Sequence, residues 1–310
     1  MKTRLVLYGL LLLGAVTCLR THVFAQVSAE DRQKIEAALP GKAQAKSKKP
    51  RKMLVVNLSR WGGQERKGHP SILPGNLALE LMGRKTGAYE AVFSNEVANF
   101  QPDKLKGFDA ICFNNTTGNL FDDPELRKSL LAFISGGKGF VGIHAAGATF
   151  AEWPKYDFWP EYGEMLGGYE NGGHPWKPNE TIWLKVEDPR HPINRGFKEP
   201  VFAISDEVFQ FQAPYSRDKL HVLLSIETDK TDLNPARRFL PERQADWDFA
   251  ISWVKRYGTG RVFYSSLGHN AHIYWNAPVL QHFLNGIQFA LGDLKADAQP
   301  SGHKKNTPAR

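Results

Sequence analysis

Three polar steps carry the residue types that metal or acid–base chemistry uses. His144 sits in Gly142-Ile143-His144-Ala145-Ala146-Gly147, Glu207 in Ser205-Asp206-Glu207, and His269 in Gly268-His269-Asn270. Two imidazoles and a carboxylate suit zinc, iron or manganese, with coordination positions left open for water or substrate. Residues this far apart in sequence meet only if the fold brings them together; the alternative is scattered loop polarity. Small residues around His144 fit a tight strand-to-helix turn of the kind that projects a nucleophile, a place normally held by Ser or Cys. An imidazole there argues against acyl-enzyme chemistry. The plain alternative is a hydrogen-bonded histidine that ends a strand.

Other histidines precede proline, in Gly173-His174-Pro175-Trp176, Arg190-His191-Pro192 and Gly68-His69-Pro70. Proline holds the preceding residue extended and marks a turn. His174 is the best placed of these, because Tyr169, Trp176 and nearby glycines suit a cleft wall. His191 reads as the start of a surface turn, and His69, following the first expected strand, reaches the same rim as His144. His174 and Asp206 are the acid–base candidates. Trp153, Trp159, Trp176 and Trp275 fall in expected loops, where flat rings either stack on the apolar faces of a sugar or simply stabilise a long loop. Trp153, Trp176, Trp275 and His69 are therefore the substrate-binding candidates. Trp183 and Trp253 lie in strand patterns and read as core.

The elements that must position these residues alternate in type. Met53–Leu58, Tyr89–Phe93, Ala110–Phe113 and Gly139–His144 read as short buried strands, with helices over 76–85 and from Asp123-Pro124 to Gly136-Gly137. Strands separated by helices imply a mostly parallel sheet covered on both faces. Residues 145–179 are rich in Gly, Pro and aromatics, with one short helix at 161–166. Strands at 181–186, 222–226, 250–254 and 261–265 follow, several of them antiparallel. Val279, Phe283, Ile287 and Leu291, spaced by four, define a closing helix. Ligands of an open α/β sheet bind beyond the carboxyl ends of its strands, where His144 falls.

The 310 residues carry a net charge of +8, with 42% hydrophobic and 23% charged residues, an ordinary globular composition. The basicity lies at the ends: residues 53–293 hold 25 basic and 28 acidic side chains. A nucleic-acid partner is disfavoured, because it requires a basic face on the folded part. Lys2 and Arg4 precede the apolar stretch Leu5–Leu19 and a small-residue site at Val23-Phe24-Ala25, the layout of a secretory signal peptide over 1–26. Thr17 fits lipid processing at Cys18 poorly, so a cleaved leader and a periplasmic or secreted chain without a membrane span are expected rather than a lipoprotein. Residues 27–52 read as a basic flexible linker, 53–293 as one α/β domain and 294–310 as a disordered tail. Cys112, in an apolar run, reads as a buried strand cysteine, and no disulfide framework is available.

Taken together, Gly139-Phe140-Val141-Gly142-Ile143-His144-Ala145-Ala146, Leu166-Gly167-Gly168, His174-Pro175, His191-Pro192-Ile193, Asp206-Glu207 and Gly260-Arg261-Val262-Phe263-Tyr264 leading to Leu267-Gly268-His269 resemble the ThuA-like family, named for trehalose utilisation. The resemblance covers most of 53–293. It implies a flavodoxin-like fold of the class I glutamine amidotransferase-like type, with helices on both faces of the sheet. His144 stands where the amidotransferases carry Cys, so their activity is not implied. The family's association with disaccharide and keto-sugar metabolism, and a divalent metal in some members, implies a metal-dependent isomerase, lyase or hydrolase of a small carbohydrate. Its metal, zinc first among the options, would be held by His144, Glu207 and His269. The alternative is a non-catalytic carbohydrate-binding protein that uses the same cleft and its aromatic loops.

Overall fold

Short runs of consecutive apolar residues form the centre of a nine-stranded sheet. In the computed structural model, which describes residues 27–151, 158–170, 173–234 and 236–302, the strands are β1 Lys52–Val56, β2 Glu90–Phe93, β3 Ala110–Asn114, β4 Gly139–Ile143, β5 Thr181–Val186, β6 Val201–Ser205, β7 His221–Ile226, β8 Ala250–Tyr257 and β9 Gly260–Ser265. Their spatial order is β6-β5-β7-β8-β9-β4-β3-β1-β2. From β2 to β9 the strands are parallel; β8, β7, β5 and β6 continue the sheet antiparallel. In the parallel half, Met53, Val55, Cys112, Val141 and Phe263 face one core, while Leu54, Val56, Ile111, Phe113, Phe140 and Val262 face the other. Both faces are buried, which is why these strands read as unbroken apolar runs.

Five principal helices supply the two layers. α1 Ala29–Ala38, α2 Ile72–Thr86 and α5 Ala277–Ala290 contribute to the first core, α3 Pro124–Ser135 and α4 Pro160–Leu166 to the second. The Asp123 side chain caps α3 by accepting from Glu125 N, with Pro124 in the first turn. Asn276 caps α5 in the same manner through Val279 N. The α/β class with helices on both faces is as expected, and the antiparallel extension makes the sheet mixed. β6 is not among the expected strands although Val201-Phe202-Ala203-Ile204 is an apolar run; its burial is partial, because it forms one end of the sheet.

Both ends of the chain depart from expectation. The 27–52 segment is packed rather than a flexible tether. Ile35 of α1 is fully buried, and Arg51 pairs with the buried Asp293 at 2.6 Å. Gln44 N and Ala45 N both donate to the Gln288 side chain. Repulsion among the lysines is relieved by acids elsewhere in the fold, as where Lys49 meets Asp109 at 2.8 Å. The 294–302 stretch is likewise docked rather than disordered: Ser301 N donates to Leu220 O, Gly302 N to Arg217 O, and His191 Nε2 bonds Asp297 O. His191 is therefore a buried anchor for the tail, not a surface turn. The expected leader over 1–26 and residues 303–310 lie outside the described residues. Among the described residues, no helix is long and apolar enough to cross a membrane.

Parallel pairing has a direct consequence for chemistry: the carboxyl ends of β1, β3, β4 and β9 all open on one edge. β6 lies an even number of antiparallel steps from β9, so its carboxyl end points the same way. The segments after β1, β4, β6 and β9 carry His69, His144, Asp206-Glu207 and His269 respectively.

Candidate active site

These four segments converge. One donor atom from each of His69, His144, Glu207 and His269 lies within 4.8 Å of all the others. His144 Nε2 is 3.2 Å from His269 Nδ1, which is 3.2 Å from Glu207 Oε1; His144 Nε2 to Glu207 Oε1 is 3.8 Å. The three imidazole rings stand nearly edge-on to one another, each pair of centroids 5.1 Å apart. Metal–ligand bonds of about 2.0–2.1 Å in a tetrahedron place neighbouring donors about 3.3 Å apart, close to the spacing here.

His144 is held in one orientation. It follows β4 with φ 45°, an uncommon backbone conformation for a side chain of its size. Tyr264 Oη donates to its main-chain oxygen at 2.7 Å, fixing the turn. Its Nδ1 is 2.8 Å from Ser266 O. A carbonyl can only accept, so Nδ1 carries the proton and Nε2 presents a lone pair to the cluster. Burial, then the neighbouring His69 and His269, hold the His144 pKa well below the usual imidazole range, which keeps the ring neutral. Phe209 packs against it, centroids 4.5 Å apart at 27°.

His69 comes from the turn before α2, where Ile72 N donates to its carbonyl. Burial and then the charge of His269 push its pKa down to about 4. Ser71, two residues on, donates to Gly268 O at 2.8 Å and so ties this turn to the loop that presents His269. Gly268 lies at φ 130°, and a Cβ there would come within 2.8 Å of Ile143 and 2.9 Å of the Tyr274 hydroxyl. Only glycine fits at that approach.

The charges balance across the cluster. Burial would raise the Glu207 carboxyl, yet the hydrogen bond from His269 and the nearby His174, His269 and His69 outweigh it and hold the pKa low. Burial would lower His269, and the bond to Glu207 reverses that, raising it. Without a metal, His269 and Glu207 thus form an ion pair beside two neutral imidazoles.

Asp206 has a different place from the acid–base one expected. Its side chain is fully buried and accepts from Gly268 N at 2.7 Å, Asn270 N at 2.8 Å and His269 N at 3.3 Å. Burial raises its pKa to about 7 against the pull of those N–H groups. It holds the His269 loop and has no face toward the cleft. His174 does stand at the site: its Nε2 is 3.6 Å from Glu207 Oε1, and the side chain is 31% exposed, at the mouth.

Among the described residues, the aromatic platform expected from tryptophan is not assembled. Trp176 is 1% exposed, wedged against Phe239 and Phe249 with Nε1 donating to Asp232 O. Trp275 packs beneath α1, with Lys34 Nζ 5.2 Å above its ring. Trp159 is buried against Phe150. Proline and glycine around these rings mark turns that fold them inward. Trp153 lies outside the described residues. The ring at the cleft is instead Phe209, between His144 and His174 (5.1 Å to the latter), and its position two residues after Glu207 is the one signal of it in the sequence. Behind the cluster, Asn114, Asn115, Tyr274 and Gly268 O form a buried hydrogen-bonded network that no motif announced.

An α/β sheet with an imidazole–carboxylate cluster at the carboxyl edge of its parallel strands defines the structural class. The chain belongs to the ThuA family, described as trehalose utilisation, whose pattern matches residues 58–290. Among solved structures it is similar to a ThuA-like protein from Bacteroides uniformis (TM-score 0.59, 19% identity, 79% of this chain and 93% of that one). A ThuA-like protein from Parabacteroides merdae gives TM-score 0.53 at 18% identity over 84% and 96%. A cytoplasmic protein of Salmonella typhimurium gives 0.52 at 15% over 77% and 98%. At these identities the likeness is one of fold. No curated protein matches the chain.

Proposed function

We propose that the protein is a metal-dependent enzyme acting on a disaccharide or keto-sugar, with its divalent ion, zinc foremost, held by His69, His144, Glu207 and His269. The observation that carries this reading is the convergence of three edge-on imidazoles and one carboxylate, with His144 Nε2, unprotonated because Nδ1 carries the proton, turned toward His269 in the cluster. The donor set fits the ion: nitrogen and carboxylate ligands, separations of 3.2–3.8 Å among His144, Glu207 and His269, and a hydrogen-bonded partner behind His144. His69, expected to contact substrate, joins the ligand set in this reading. When bound, such an ion polarises a carbonyl or hydroxyl oxygen or lowers the pKa of a water.

The chain's own residues do the rest. Asp206 holds the His269 loop, Ser266 O fixes the His144 tautomer, and His174 at the mouth is positioned to exchange a proton with a sugar hydroxyl. Phe209 offers an apolar ring beside that path. The family's description, trehalose utilisation, supports a carbohydrate substrate. Burial of Trp176 and the position of Trp275 remove support from a metal-free aromatic binding cleft. Lys2, Arg4 and the run Leu5–Leu19 support export, tested by sequencing the mature N-terminus.

The experiment is equilibrium dialysis of zinc against the metal-stripped protein and its His144→Ala variant, alongside disaccharide and keto-disaccharide turnover with and without chelator. One zinc per chain, lost in the variant, and chelator-sensitive turnover are expected. Equal zinc in both proteins, or turnover indifferent to chelator, overturns the proposal.

A further inference from the structure

A groove of about 810 Å³ lies away from the histidine cluster, between residues 42–44, the 195–203 segment and the start of α5. Its wall includes both Phe202 and Ala203. Consecutive strand residues point to opposite faces, so a groove touching both runs along the edge of β6. That edge is open among the described residues: β6 ends the sheet there and pairs with β5. Val186 N donates to Pro200 O, so the alternation of an antiparallel ladder turns the N–H and C=O groups of Val201, Ala203 and Ser205 outward. The outward Ser205 O is covered by His272 Nε2 and Asn270 Nδ2. The outward groups of Val201 and Ala203 have no such cover among the described residues, and Ala203 lines the groove.

The walls and rim limit what could fill this edge. Phe197 and Phe202 stack at 4.7 Å and 12° to give an apolar floor, and Lys42, Arg195 and Lys198 stand on the rim against a single acid, Glu199. A second copy of the chain would bring the same three cations opposite these. The undescribed ends offer no acid either: residues 1–26 carry Lys2, Arg4 and Arg20, and residues 303–310 carry Lys304, Lys305 and Arg310. Charge complementarity therefore disfavours a symmetric second copy or the chain's own ends as occupant and favours an acidic one. Unpaired strand edges bind extended chains through main-chain hydrogen bonds, with neighbouring pockets choosing the side chains.

We propose that the outer edge of β6 and the groove beside it bind an extended acidic segment of a partner protein, added to the sheet as a tenth strand. Its alternate residues are acidic, toward Lys42, Arg195 and Lys198, and apolar, toward Phe197 and Phe202. This surface is independent of the histidine cluster.

The test is fluorescence anisotropy of a labelled peptide alternating Glu with Val and Phe, titrated with the full chain, against a counterpart carrying Lys for Glu. Saturable binding of the acidic peptide, at least about tenfold tighter than the basic one and weakened at least about tenfold by the double variant Arg195→Glu, Lys198→Glu, is expected. Ala203→Pro removes an outward N–H without touching the β5 ladder, so it weakens binding while circular dichroism stays unchanged. Loss of charge preference, or affinity unmoved by Ala203→Pro in a folded variant, overturns strand addition. So does binding of the aromatic anion 8-anilinonaphthalene-1-sulfonate at these residues when the peptide does not bind. A dimer in sedimentation that Ala203→Pro dissociates would assign the edge to a second copy and equally overturn it.

Discussion

Replacing Asp206 by Ala tests whether the site is held from behind. The carboxylate accepts three main-chain N–H groups of the loop that presents His269. Gly268 N, fully buried, loses its partner outright, at about 1–3 kcal/mol. The bonds from His269 N and Asn270 N are only part-buried, so each costs about 0.5–1 kcal/mol. Relief from burying a carboxylate offsets part of this, leaving a net loss of about 2–4 kcal/mol. The loop carries a ligand, so zinc affinity falls as well, by about 10–100-fold, as when a partner behind a metal ligand is removed. Asp206→Asn keeps one acceptor oxygen and turns an amide N–H₂ on the loop, so its loss is smaller in both readouts. Urea denaturation of the metal-stripped protein measures the first quantity and zinc competition with a chromophoric chelator the second. Stability within about 0.5 kcal/mol of the parent together with unchanged zinc affinity would refute the positioning role.

Three further outcomes follow from the same contacts. Trp176→Ala empties a packed site between Phe239 and Phe249 and should cost about 3–5 kcal/mol in denaturant unfolding while leaving zinc affinity unchanged; a selective loss of sugar binding would return this ring to the cleft. Arg51→Ala leaves the buried Asp293 without its partner and should cost about 2–4 kcal/mol, with faster proteolysis in 27–52; an unaltered digestion pattern would contradict the docked segment. Burial, only partly opposed by Glu164, pushes the Lys255 ammonium down to about 8. A base whose folded pKa lies below the usual 10.5 costs stability throughout the range below about pH 8, and that cost is relieved as pH rises from about 8 to about 10.5. Lys255→Met should therefore stabilise at pH 7 by about 1–2 kcal/mol after loss of the bond to Glu164 O, with the gain shrinking by pH 10; a gain that grows with pH would contradict the reasoning.

The parallel half of the sheet was legible because two-sided burial writes itself as apolar runs such as Met53–Val56 and Ala110–Phe113, and α3 because Asp123 and Pro124 mark its start. Strand ends placed His144 and His269 on one rim; Glu207 follows β6, which is not among the strands expected from the sequence, and its meeting with them rested on residue type and the family resemblance. Terminal packing was illegible for a specific reason: Ile35 and Leu39 are among the few large apolar side chains in a strongly charged segment, and Arg51 looks solvated until Asp293, over two hundred positions away, is beside it. Tryptophan misled for the converse reason, since composition cannot say whether a loop folds its rings in or out. Asp206 and Glu207 are adjacent and chemically alike, yet one turns to main-chain N–H groups and the other to imidazoles; only the loop geometry separates them.

Most direct is an anomalous difference map at the zinc edge from crystals of the zinc-loaded protein. The account predicts one peak about 2.0–2.2 Å from His144 Nε2 and from the facing atoms of His69, His269 and Glu207. A map without a peak among these four residues, or with its zinc elsewhere on the chain, would contradict it.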